Sequence, residues 1–132
     1  MKKNFLLACL ISAVFAAPAG AWELWDQFKA TTLTPEGRVV DYSEAKLITT
    51  SEGQSYGMFF ALVANDKKAF DEMFVWTEKN LGENQPAWLW GIPDGKPNGT
   101  GKILDTNNAT DSDMWIAYCL IEAARIWNDP SY

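Results

Sequence analysis

The spacing of apolar positions divides the chain into helical stretches and one short stretch of alternation. Trp22, Trp25 and Phe28 recur every three residues and predict a short amphipathic helix, broken by Thr31–Pro35 and Gly37. Arg38–Asp41 reads as extended, and Ser43–Leu47 as a single helical turn. From Gly53 to Ala64 the chain is apolar on nearly all sides, through Tyr56, Met58, Phe59, Phe60, Leu62 and Val63, which predicts a buried helix. Asn65-Asp66 ends it and caps the next helix. Phe70, Met73, Phe74, Thr77 and Leu81 then follow at helical spacing, with charged residues on the other face and Gly82 as the stop. These two helices read as an antiparallel pair. Trp88, Trp90 and Ile92 alternate onto one side of a short strand, Ala87–Ile92. Pro93–Gly101, rich in Gly, Pro and Asn, is a loop, and Lys102–Asp105 a return strand. Ile116, Leu120, Ala123 and Trp127 mark one face of a last helix, stopped by Asn128-Asp129-Pro130.

The 132 residues allow one domain or part of one. Residues 1–21 have the order of an export signal: Lys2 and Lys3, the apolar run Phe5–Ala17, then Ala19-Gly20-Ala21 as a small-residue cleavage site. The run is too short to span a bilayer, and Leu6-Leu7-Ala8-Cys9 resembles a lipoprotein signal only faintly. The mature chain is expected to begin at Trp22 and to stay outside the membrane, periplasmic or secreted. The net charge is −6, and loss of Lys2 and Lys3 makes the remainder more acidic. Such a surface repels phosphate backbones and anionic lipid, which argues against nucleic-acid and membrane partners. Cys119 alone remains after cleavage, so no internal disulfide is expected; it reads as a small buried hydrophobe within its helix. There is no histidine and no CxxC, so a zinc site lacks ligands.

Two acidic helix starts remain to be explained. Glu52 precedes the apolar helix and is flanked by Thr49, Thr50, Ser51 and Ser55. Thr49-x-x-Glu52 forms a capping box in one register; Ser51-x-x-Gln54 forms another, which leaves Glu52 free in the first turn. As a general acid Glu52 would need burial beside apolar groups, while the helix N-terminus favours its anion. Thr110-Asp111-Ser112-Asp113 likewise has the capping-box form, with Thr110 as N-cap. Either both aspartates only suit a first turn, or Asp113 caps while Asp111 points into a cleft. All seven tryptophans lie beyond residue 21. Trp115 and Trp127 read as packing. Trp88 and Trp90 read equally as core or as flat faces for sugar rings.

The stretches Thr50–Met58, Ala87-Trp88 and Ala109–Asp113, with Ile116-Ala117, Ala123 and Trp127, resemble glycoside hydrolase family 8. The marks Gly37-Arg38-Val39, Ala61–Asp66, Ala87–Gly91 and Met114–Tyr118 resemble most the members that accompany bacterial cellulose synthase, and the resemblance implies a functional association with that machinery. Ser112 and Cys119 stand where the family signature usually has other small residues. The resemblance implies an all-α fold, the N-terminal part of an (α/α)6 barrel, with the short β-hairpin between helices. It implies inverting hydrolysis of β-1,4-glucan (cellulose) without metal or cofactor. Glu52 falls on the family's proton donor. Asp111 falls on the aspartate that holds and polarises the sugar at the cleavage point. Trp88 falls on a sugar-stacking platform, and Trp90, Tyr56 and Asp113 are expected beside the substrate. Family members are much longer, with the catalytic base an aspartate beyond residue 132, so these residues alone are expected to be inactive. The alternatives from the residues are a non-catalytic glucan-binding module and a structural exported helical protein.

Overall fold

The computed structural model, which describes residues 22–132, has four helices and a three-stranded antiparallel sheet, with the second and third helices packed against the sheet. The expected export signal, residues 1–21, lies outside the described residues. Helix α1 spans Glu23–Thr32 and buries Trp25. It runs past the expected break to Thr32, and Thr31 Oγ1 donates back to the Gln27 carbonyl at 2.8 Å. Helices α2 (Ser51–Val63) and α3 (Lys67–Leu81) form the expected pair. Their connection turns on Asn65, at φ 54°, and on Asp66, whose carboxylate caps α3 by accepting from the Ala69 amide at 3.1 Å. The same carboxylate accepts from Trp25 Nε1 and pairs with Lys29, so one cap also fastens α1 to α3. Helix α4 (Thr110–Trp127) packs on α2, and Asn128 ends it in the left-handed conformation.

Strand β2 (Ala87–Gly91) lies between β1 (Thr49–Thr50) and β3 (Lys102–Asn108), with Thr49 opposite Trp90 and Ala87 opposite Asn108. Two residues are too few to carry a period, and β1 had no signal in the sequence. The expected alternation of Trp88 and Trp90 is broken, because register irregularities lie on both sides of Leu89. Trp88 and its neighbour Leu89 line one groove together, whereas Trp90 turns into the protein. The Trp90 ring lies under the Arg38 guanidinium at 4.2 Å and edge-on to Trp76 at 5.4 Å. It presses on Gly101, where a Cβ would come within 1.8 Å of the indole.

Arg38–Asp41 is extended as expected, bridged at Leu33–Val39 and Asp41–Ile48. Ser43–Leu47 is a turn and not a helical turn. The Asp41 carboxylate takes both the Ser43 amide and the Ser43 hydroxyl, a local bonding pattern that competes with helix initiation. Gly37, at φ +88°, passes so close to α3 that a Cβ would fall 2.1 Å from the Glu72 carbonyl. The core joins Trp25, Val39, Met58, Phe70, Met73, Ile116 and Cys119. Helix α2 is not enclosed on all sides: Tyr56 and Val63 are exposed.

Candidate active site

Both acidic residues of interest occupy the second position of a helix, and neither capping box forms. In α2 the cap is Thr50, whose Oγ1 accepts from the Gly53 amide at 2.9 Å. This is one residue away from either register read in the sequence. Thr49 is diverted to the Val39 carbonyl, and Gln54 is drawn into the core. Glu52 is therefore free in the first turn, and it is exposed, not buried against the apolar residues that follow. In α4 the N-cap is Ala109, without a side-chain bond, and Thr110 is already helical. Asp113 caps nothing: its Oδ2 accepts from Asn108 Nδ2 at 2.6 Å.

Packing of α2 on α4 brings the two starts together. One turn beyond Glu52 stands Tyr56, 40 % exposed, and one turn beyond Asp111 stands Trp115, 37 % exposed. These two rings meet edge to face, with centroids 6.3 Å apart. The Glu52 carboxylate acts on the Tyr56 phenol by hydrogen bonding and by charge and raises its pKa, and Asp111 adds a weaker push of the same sign. Asp111 opens onto a groove of about 440 Å³ whose walls are Phe59, Met114, Trp115 and Tyr118. Phe59 and Tyr118 also pack edge-on against Trp115, at 5.1 Å and 5.7 Å. The arrangement offers two open carboxylates beside an aromatic wall, suited to a ligand with an apolar face and hydroxyl edges.

The other expected residues are placed elsewhere. Asp113, two residues on in the helix, faces away from Asp111 and lines a cleft between α3 and α4 with Phe74, Thr77 and Ile116. Trp88 lines a separate groove of about 420 Å³ with Lys46, Ile48, Leu104 and Asp105. Trp90 is held by Arg38 and Trp76. Trp115, expected as packing, and Tyr118, which the sequence does not single out, both wall the groove. The available signal was their spacing from Asp111, four and seven residues on, which sets all three on one helical face. Cys119 is buried beneath them, and burial pushes its thiol up to about 12.

Comparison with known proteins gives this arrangement its class. The profile of glycosyl hydrolases family 8 matches residues 2–132, and the chain belongs to that family. It is 49 % identical over 136 residues to an endoglucanase of Escherichia coli O157:H7, covering 98 % of this chain and 36 % of the relative. It superposes with a TM-score of 0.73 on the crystal structure of an endo-1,4-D-glucanase from Vibrio fischeri, at 55 % identity, over 82 % of this chain and 32 % of that one. The endo-β-1,4-glucanase CMCax of Acetobacter xylinum superposes at 0.71 with 37 % identity, over 88 % and 35 %. The four helices and the hairpin thus correspond to part of the (α/α)6 barrel of these enzymes. The chain spans about a third of the length of the curated relatives it matches.

Proposed function

We propose that the protein carrying this chain is an endo-acting hydrolase of β-1,4-glucan that works with inversion. One observation carries the reading: Glu52 and Asp111 stand in the first turns of the neighbouring helices α2 and α4, and one turn beyond each the Tyr56 and Trp115 rings meet edge to face at 6.3 Å beside the groove that Asp111 lines. Family membership and the names of the relatives support glucan as the substrate.

In this reading Glu52 protonates the leaving glycosidic oxygen. Exposure leaves its carboxyl free to meet a chain laid over the helix starts, and the cover from water that a general acid needs comes from the bound chain itself. Asp111 accepts hydrogen bonds from the sugar at the cleavage point and opposes the charge that develops on the ring. Tyr56 lies against that sugar and orients Glu52. Trp88 offers an aromatic face further along the chain of sugars. Trp90 and Asp113 hold their surroundings in place through Arg38 and Asn108. Water enters from the opposite face of the ring, activated by a base about 6.5–9.5 Å from Glu52. No step here calls on a metal or a cofactor. Export through residues 1–21 and work beside a cellulose-synthesising machine complete the reading. N-terminal sequencing of the exported protein should begin at Trp22.

The test is hydrolysis of cello-oligosaccharides by the full-length protein, followed by proton NMR of the first product. The α-anomer of the new reducing end is expected first, and Asp111→Asn should lower turnover by about 10²-fold. An initial β-anomer would contradict inversion. Binding of glucan without hydrolysis would make the protein a glucan-binding module.

A further inference from the structure

A second groove opens against the first turn of α2, on the other side of Glu52 from the aromatic wall. It holds about 270 Å³ and is lined by Thr32, Val40, Asp41, Tyr42, Thr50 and Gly53. At about 100° per residue, Phe59, Glu52, Tyr56 and Gly53 follow one another round the helix in that order. Glu52 therefore stands between the groove shared with α4 and this one, and a chain crossing the start of α2 meets both.

Three features of this groove match what a sugar ring requires. Tyr42 is 61 % exposed, and among the described residues no other ring stacks on it. Its backbone is nonetheless fixed, because the neighbouring Asp41 amide donates to the Ile48 carbonyl at 2.8 Å. The Asp41 carboxylate is oriented by the Ser43 hydroxyl at 2.6 Å and the Ser43 amide at 2.8 Å, bonds that lower its pKa and keep it an ionised acceptor. Gly53 keeps the wall low. A Cβ there would project to within 3.3 Å of Thr50 Oγ1 and 3.6 Å of Val39.

We propose that this groove is a glucosyl subsite on the α1 side of Glu52, with Tyr42 as its stacking face and Asp41 as the acceptor for a sugar hydroxyl. The proposal rests on the glucan-hydrolase reading above and adds a residue pair that lengthens the substrate track.

The experiment compares the full-length protein with its Tyr42→Ala and Tyr42→Trp variants on cellohexaose and cellotriose. Tyr42→Ala should raise KM for cellohexaose about 3–10-fold, the worth of one aromatic contact, with the effect falling on KM and not on kcat. The rise should be smaller for cellotriose, and Tyr42→Trp should restore tight use of the long substrate. Calorimetric binding of cellohexaose in the Glu52→Gln background should weaken by the same factor when Tyr42→Ala is added. Unchanged cellohexaose binding, or equal losses for both lengths, would overturn the subsite. If the parent hydrolyses glucan and Glu52→Gln does not, yet Tyr42→Ala binds cellohexaose like the parent, only the subsite falls. If the parent neither binds nor cleaves glucan, the hydrolase reading falls and the subsite with it.

Discussion

Replacing Gln54 by leucine tests how the segment before α2 is held. Gln54 is fully buried, and its amide is spent on four partners. Oε1 accepts from the Val39 amide at 2.6 Å, and the two Nε2 hydrogens are shared among the Gly37 carbonyl at 3.1 Å, the Met73 carbonyl at 3.2 Å and Thr77 Oγ1 at 2.9 Å. One side chain thus joins residues 37–39, α2 and α3. After Gln54→Leu, the Met73 carbonyl keeps its bond from Thr77 Oγ1. The Val39 amide and the Gly37 carbonyl lose the partner that Gln54 supplies. Each buried orphan costs about 1–3 kcal/mol, and the apolar area of the leucine offsets about 1–2 kcal/mol. The expected net loss is about 2–4 kcal/mol. Urea unfolding followed by tryptophan fluorescence should show it as a lower midpoint with an unchanged slope. Thr77→Val removes one acceptor of Gln54 and should cost about 1 kcal/mol. A Gln54→Leu midpoint within about 0.5 kcal/mol of the parent would refute the network as the anchor of the segment.

Three further outcomes follow from the same structure. Gly37→Ala meets the Glu72 backbone and an unfavourable φ of +88°, and should lose about 2–4 kcal/mol in urea unfolding; a neutral result would contradict the close passage over α3. Asp66 is pushed up by partial burial, but its bonds from Lys29, the Ala69 amide and Trp25 outweigh this and hold its pKa below the usual range. Its folded pKa is then the lower one, so its contribution is present above about pH 4 and lost as pH falls through the folded value; urea midpoints between pH 2 and 7 should show this loss, and Asp66→Asn should flatten it. The Cys119 thiol, at about 12, should resist alkylation at pH 8 in the folded protein and react on unfolding; prompt labelling would contradict its burial.

Features set by neighbours in the chain were legible in the sequence. The α3 helix carries its own period, its Asp66 cap and its Gly82 stop within a few residues, and it folds as read. The apolar core of α2 and the inner face of α4 were equally plain. The caps slipped by one residue because Thr49, Thr50 and Ser51 are near-equal acceptors, and only the tertiary pull of Val39 on Thr49 and of four partners on Gln54 selects Thr50. The sharing of Trp88 and Trp90 on one face failed at the irregularities around Leu89, which depend on the partner strands. Of the site, Glu52 and Asp111 stood out by their motifs. Trp115 and Tyr118 did not, because an aromatic at helical spacing reads the same whether it fills a core or walls a groove.

The role of Glu52 as the proton donor is tested most directly by the leaving group. Protonation matters for a sugar alkoxide and little for a dinitrophenolate, which departs without it. Turnover by the full-length protein and its Glu52→Gln variant should be measured on cellohexaose and on a dinitrophenyl cello-oligosaccharide. Glu52→Gln should lose about 10²-fold or more on cellohexaose and only a few-fold on the activated substrate. Equal losses on both, or near-normal turnover of cellohexaose, would contradict the assignment and return Glu52 to the first turn of α2 as a structural residue.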